Sequence, residues 1–252
     1  CNGISTSLPA DVQEAIVHQM PGCARARILR HGYAVEYDMV WPHQIDATTM
    51  TKAVEGLFLA GQINGTSGYE EAAGQGLLAG LNAVRYHRGE SLLRLGREQA
   101  YLGVMMDDLV TQTPREPYRM FTSRAEFRLL LRADNADQRL TPLGREWGLV
   151  DDARWAVYQQ GTQHREALLA RLAQVKVEGQ RLADWARRPQ TTAADLLPHL
   201  AHTDLSPEAR APDLVERVVT ELQYAGYIER QQREVERLAA QEHTPLPTEF
   251  DY

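Results

Sequence analysis

LFLAGQINGTSGYEEAAGQGLLAGLNAV, residues Leu57–Val84, reads as a buried strand entering a Gly-rich turn that opens a helix. The apolar run from Val54 to Ala60, broken only by Glu55 and Gly56, predicts a strand covered on both faces, stopped by Gly61. Gln62-Ile63-Asn64-Gly65-Thr66-Ser67-Gly68 follows, rich in residues that accept positive φ and with few bulky side chains to hold a ligand off. Beyond it Ala73, Leu77, Leu81 and Val84 recur at helical spacing, and Gly74, Gly76 and Gly80 leave room for close backbone packing. Such a turn aims main-chain N–H groups and the positive end of a helix dipole at a phosphate or at the electron-rich edge of a flavin.

Glycine spacing does not settle that reading. Gly74-x-Gly76-x-x-x-Gly80 places its third glycine one residue too far for the dinucleotide fingerprint and lies inside the helix. A helix packed tightly on a sheet has the same pattern.

Composition narrows the class. The 252 residues suffice for one large domain or two ordinary ones. No apolar stretch reaches a membrane span and no signal peptide opens the chain, so cytoplasmic location is the default expectation. Cys1 and Cys23 provide neither a disulfide framework nor zinc spacing, and both read as thiols. Asn64-Gly65-Thr66 matches a glycosylation acceptor but reads as a turn. The net charge of −7 excludes a surface uniformly positive for nucleic acid, so any RNA contact must be a local patch.

The first third mixes strand-like and turn-like pieces, including an alternating stretch at Tyr33–Val40, whereas the pattern from about Ser91 is almost entirely helical. The expected fold is α+β: residues 1–90 as the end of a larger, Rossmann-like α/β domain, and residues 91–252 as a mostly α-helical domain. A single strand–turn–helix unit without a preceding βαβ repeat is too little for a whole nucleotide-binding domain. The chain therefore reads as an internal portion of a longer protein. Ser123-x-x-Glu126, Thr141-Pro142 and Ser206-Pro207-Glu208 predict helix starts, and a long helix is expected over Asp213–Gln241 with a solvated second half.

Between Arg115 and Arg145 stand seven arginines and four acids, a segment of net +3 inside an acidic chain. On a helix capped by Ser123, Arg124, Arg128 and Arg132 share one face, with Phe127, Leu130 and Leu131 on another. Guanidinium forks suit phosphate, and Tyr118 or Phe121 could stack bases or fill core. The same spacing fits structural bridges to Glu126 and Asp137. Glu70 and Glu71 read as helix-start electrostatics, Asp107-Asp108 as capping or pairing, and His199 and His202 as surface or capping residues; no metal site is expected.

The string AGQINGTSGYEEAAGQGLLAGLNA, together with NGISTSLPADVQ (2–13), GYAVEYD (32–38), EPYRMFTSRAEFRLLLRADNADQRLTPLGREWGLVDD (116–152) and YAGYIERQQREVER (224–237), resembles the large, flavin-dependent subunit of the tRNA wobble-uridine carboxymethylaminomethyl modification complex, the MnmG (GidA) family. The resemblance implies an FAD enzyme building a (carboxymethyl)aminomethyl group at C5 of a wobble uridine, with residues 1–90 the C-terminal part of its FAD-binding domain and residues 91–252 a helical tRNA- or partner-binding domain incomplete at its C-terminus. NADH and methylenetetrahydrofolate would be its co-substrates, the GTPase MnmE its partner, tRNA its substrate and a homodimer its assembly. It puts Gly61, Gln62, Asn64, Gly65 and Thr66 at the flavin-contacting turn, Gln62 foremost, and favours tRNA contact by Arg119, Arg124, Arg128 and Arg132. No nucleophile carries over, and the catalytic residues stay unknown. Two alternatives remain: a folate- and FAD-dependent tRNA uridine methyltransferase, against which the long helical region argues, and a noncatalytic RNA- or partner-binding module.

Overall fold

A computed structural model describes residues 4–34, 37–112 and 114–242, with only the main chain of Glu242. The elements in chain order are α1 (Ala10–Gln19), α2 (Tyr69–His87), α3 (Tyr101–Gln112), α4 (Ala136–Glu146), α5 (Asp152–Gln174), β1 (Lys176–Val177), β2 (Gln180–Arg181), α6 (Leu182–Ala186), α7 (Ala193–Leu200) and α8 (Pro212–Glu242). The helical second half and the turn-rich first third agree with the α+β expectation.

Among the described residues two larger cores, and a small cluster of Val104, Ala125 and Leu131, organise these elements. In the first, Ile45 and Leu78 pack with Met105, Met106 and Leu109 of α3 and with Tyr118. The sequence boundary near Gly89 coincides with the end of α2, and this core runs across it. The second core belongs to the helical region: Leu168 and Leu172 of α5, Leu182 and Ala186 of α6, Leu196 and Leu200 of α7, and Val215, Val218 and Val219 of α8. Their three- and four-residue spacing turns one stripe of each helix inward, which is the pattern that stabilises short helices through packing rather than propensity.

Helix ends follow local chemistry. Asp151 caps α5 by accepting from the Arg154 N–H at 2.8 Å. Thr192 and Asp195 form a reciprocal capping box on α7. Thr192→Ala is expected to cost about 1 kcal/mol, read as a lowered urea midpoint of the helical region; an unchanged midpoint would mean α7 is held by its apolar face alone.

Several local expectations are corrected. Val54–Ala60 is not a buried strand: Val54 and Leu57 are exposed, and Gly56 at φ 78° turns the chain back so that the Thr51 N–H donates to the Leu57 carbonyl at 2.8 Å. Only an isolated antiparallel bridge, Met50 with Phe58, survives of the strand. The described part of Tyr33–Val40 likewise contains no strand, and Val35 and Glu36 lie outside the described residues. The helix expected from Ser123 is replaced by two short 3-10 turns, Thr122–Arg124 and Ala133–Asn135, joined by irregular chain. Here Ala125, Phe127 and Leu131 are each drawn into a core, and that burial overrides the helical spacing. Pro142 sits inside α4 rather than at its first turn. Ser206 does cap, accepting from the Ala209 N–H at 3.1 Å, but opens only a 3-10 turn before α8 begins at Pro212. The helical pattern expected from about Ser91 is interrupted by the β1–β2 hairpin, whose Glu178-Gly179 turn has φ of 51° and 81°. Two positive φ values in a two-residue loop are the signature of a tight hairpin.

Candidate functional site

The Gly-rich turn folds as the sequence predicts. Gly61–Asn64 makes one 3-10 turn, Gly65 adopts the left-handed conformation at φ 85°, and Gly68 leads into α2. Gln75, on the second turn of α2 and fully buried, reaches back to accept the Gly61 N–H at 2.6 Å and so fixes where the turn begins. Gly61 and Asn64 face inward, whereas Gln62 faces out. The Asn64 Oδ1 and the Thr66 hydroxyl are buried without hydrogen-bond partners among the described residues, which is costly unless another group satisfies them. Gln62, Gly65 and Thr66 share a cleft of about 250 Å³ with Tyr37, Met39, Arg115 and Pro117.

A strap, residues 115–122, lies against this turn. Thr66 and Tyr118 form a parallel bridge, and the Tyr118 N–H donates to the Gly65 carbonyl at 2.8 Å. The strap is tied again at the helix start, where Glu71 Oε1 accepts from the Met120 N–H at 2.8 Å and from Arg119 Nε at 3.3 Å. Burial raises the Glu71 pKa, but the Met120 and its own main-chain N–H and the Arg119 guanidinium outweigh it and hold the carboxyl below its ordinary value. Its second oxygen, Oε2, is buried beside Gly68 with no hydrogen-bond partner among the described residues. Glu71 thus does more than favour a helix start.

A third tie comes from a residue sequence reasoning missed. Arg97 Nη1 donates to Asp107 at 2.9 Å and to Asp108 at 2.6 Å, while its Nε and Nη2 grip Glu126 in a fork at 2.7 and 2.9 Å. The Tyr118 hydroxyl donates to the buried Asp108 at 2.7 Å, and burial, followed by that carboxylate, pushes the Tyr118 pKa well up. The pairing expected of Asp107-Asp108 is correct; the signal for its partner was a lone arginine in an otherwise unremarked stretch.

Arg124, Arg128 and Arg132 do not share a helical face, because the helix expected from Ser123 is not formed. Arg119 is half-exposed, and Arg124 lies over the Tyr118 ring at 4.6 Å with Nε donating to the Arg119 carbonyl. Arg128 is exposed and makes no hydrogen bond or ion pair among the described residues. Arg132 is occupied, with Nε on Asp134 at 2.9 Å and Nη1 on the Leu129 carbonyl at 2.9 Å. Glu126 and Asp137, the acids the sequence offered as structural partners, pair instead with Arg97 and Arg217. Arg119, Arg124 and Arg128 therefore keep guanidinium edges toward solvent, and Arg132 takes the structural role. Phe121 is exposed while Tyr118 is core.

Among the described residues no group of three or more His, Cys, Asp or Glu side chains could hold a metal, and no helix is long and apolar enough to cross a membrane. His199 instead packs on Trp185, ring centroids 5.4 Å apart.

A Gly-rich turn opening a helix, strapped by an arginine-bearing segment and followed by a helical module, defines the class: the end of a nucleotide-binding domain joined to a helical domain. The family described as "Glucose inhibited division protein A" matches residues 1–91, and the "tRNA modifying enzyme MnmG/GidA C-terminal helical domain" matches residues 152–232. Two crystal forms of Aquifex aeolicus GidA are similar over 98% of this chain, at 39% identity with a TM-score of 0.78 and at 38% identity with a TM-score of 0.79. The chain belongs to the MnmG/GidA family. It spans 42% and 40% of those two chains, about two fifths of their length.

Proposed function

We propose that the protein of which this chain is a part is an FAD-dependent enzyme that modifies tRNA, adding a (carboxymethyl)aminomethyl group at C5 of a wobble uridine. In this reading it works with a GTPase partner of the MnmE type, as a cytoplasmic homodimer. NADH and methylenetetrahydrofolate are its co-substrates. The observation that supports the reading is the union of turn and strap: Thr66 and Tyr118 bridge the Gly-rich turn to the arginine-bearing segment, an arrangement that would make a cofactor face and an RNA face parts of one unit.

Residues of the turn fit a flavin. The start of the 19-residue α2 has no side-chain cap, and the orphaned Thr66 hydroxyl and Asn64 carbonyl lie beside it. At about 250 Å³ the cleft is below the roughly 300–1,000 Å³ that encloses a small ligand, so it holds one part of a dinucleotide. Gln62 would donate or accept at the exposed rim, Gly65 would let the main chain approach, and Thr66 would supply its hydroxyl. Bound flavin contributes the redox chemistry. Arg119, Arg124 and Arg128 would hold RNA phosphates or carbonyls by charge-assisted hydrogen bonds. The arginine-bearing strap and helical module favour this over the folate-dependent methyltransferase, and the turn's orphaned polar groups favour it over a noncatalytic module.

Gln62→Ala in the full-length protein is expected to weaken FAD retention by about tenfold, the loss of one hydrogen bond of about 1.4 kcal/mol. Flavin absorbance after dialysis reads this directly, with circular dichroism as the folding control. Retention equal to wild type would remove Gln62 from the flavin site.

A further inference from the structure

We propose that a second cleft, between α2 and α3 beneath the strap, seats one unstacked base of the RNA, a neighbour of the base that reacts. This deepens, and rests on, the tRNA-modifying reading above. The cleft measures about 430 Å³, within the range of pockets that enclose a small ligand. Its floor is Leu102, Met105 and Met120, and Gly74 leaves the α2 wall without a side chain. Methionine sulfur and aliphatic surface form a soft floor that suits the face of a planar ring.

The mouth supplies the edge chemistry. Arg119 is anchored through Nε to the buried Glu71, and its two terminal nitrogens have no partner among the described residues. A guanidinium fixed at its inner nitrogen presents an outer fork, which donates to the ring carbonyls of a base. Glu70 and Thr122 complete the rim, one offering a carboxylate to a ring or exocyclic N–H, the other a hydroxyl. A heterocycle bearing both donors and carbonyl acceptors satisfies this mixed rim; bare phosphate, facing Glu70 and Glu71, does not.

Position separates this base from the reacting one. Arg115 and Pro117 of the strap line the turn cleft with Gln62 and Thr66, whereas Arg119, Met120 and Thr122 line the second cleft. Tyr118, buried and bonded to Gly65 and Asp108, is the partition between them. A base in the second cleft lies on the far side of the strap from the flavin turn. The RNA then has two splayed bases with the arginine-bearing strap between them, and single-stranded loops are where RNA bases can be splayed and read this way.

The test uses full-length protein and an unmodified anticodon stem–loop RNA carrying 4-thiouridine at one loop position at a time. After near-ultraviolet irradiation, crosslinked peptides are mapped by mass spectrometry. The expected result is that one position flanking the wobble base crosslinks to peptides spanning 101–105 or 119–122. Gly74→Leu, whose Cβ meets Leu102 at 3.3 Å and whose side chain fills the cleft without altering charge, should cut that yield at least fivefold with less than a threefold loss of RNA affinity and an unchanged circular dichroism spectrum. Arg119→Gln should cut it similarly. RNA bound at wild-type affinity but crosslinked elsewhere, or crosslinked here from the wobble position itself, would overturn the proposal while leaving the tRNA reading intact. No RNA binding at all would overturn both.

Discussion

Replacing Arg97 by methionine should destabilise the protein by about 3 kcal/mol, because it strands a buried carboxylate. Asp108 is 3% exposed, and in wild type it shares the Arg97 charge with the Tyr118 hydroxyl and Gln112. Methionine fills much of the same volume but leaves Asp108 with neutral donors only, and releases the fork on Glu126. Asp107 and Glu126 are more exposed and lose less, since water screens their charge. Adding Asp108→Asn to Arg97→Met should recover part of the loss, as expected when the penalty is an unpaired buried charge rather than lost packing.

Acid provides an independent check on the same hub. The Arg97 hydrogen bonds hold the Glu126 carboxyl below its ordinary range despite its partial burial. A depressed folded-state pKa contributes stability that is present above the unfolded value, about 4.3, and lost as pH falls through the folded value. Wild type should therefore lose this contribution below about pH 4, and Arg97→Met should lack it at every pH. Urea midpoints of the two proteins between neutral pH and pH 3.5 measure the difference. Equal midpoints at pH 7 would mean the strap does not depend on Arg97.

What was readable in the sequence, and what was not, divides by range. The turn at Gly61–Gly68, the start of α2 and the 31-residue α8 rest on neighbours within a few positions, and each appears where the pattern puts it. The helix expected from Ser123 failed because distant contacts decide that segment: Glu126 is taken by Arg97, 29 residues away, and Phe127 and Leu131 are drawn into the core. Val54–Ala60 failed because Gly56 turns the chain back on Thr51, which makes a tight loop of a run that apolarity alone reads as strand. At the site, Gln62, Gly65 and Thr66 come together and Arg119, Arg124 and Arg128 stay open. Arg132 does not, since Asp134 two residues on captures it. The roles of Glu71 and Gln75, which reach Met120 and Gly61, had no local signal at all.

The second large effect concerns RNA. Alanine at Arg119, Arg124 and Arg128 together should lower tRNA affinity by about 100-fold at low salt, roughly 1 kcal/mol for each charged contact removed. Arg124→Ala also uncovers the Tyr118 ring, so circular dichroism and flavin content are needed as controls. Arg132→Ala is the internal comparison: its guanidinium already serves Asp134 and the Leu129 carbonyl, and its removal should change affinity less than about threefold, within the small contribution of a partly exposed ion pair.

The most direct measurement of the central claim, that turn and strap form one unit facing flavin on one side and RNA on the other, is the salt dependence of tRNA binding by the full-length flavin-loaded protein. Each lost phosphate contact flattens the slope of log affinity against log salt by about 0.7 to 0.9. The triple variant should therefore be flatter than wild type by about 1.4 to 1.8, the share of the two phosphate contacts at Arg124 and Arg128, with flavin content unchanged and Arg132→Ala superimposed on wild type. Parallel lines for wild type and the triple variant would contradict the account, leaving the strap a structural brace for the turn with the RNA surface elsewhere.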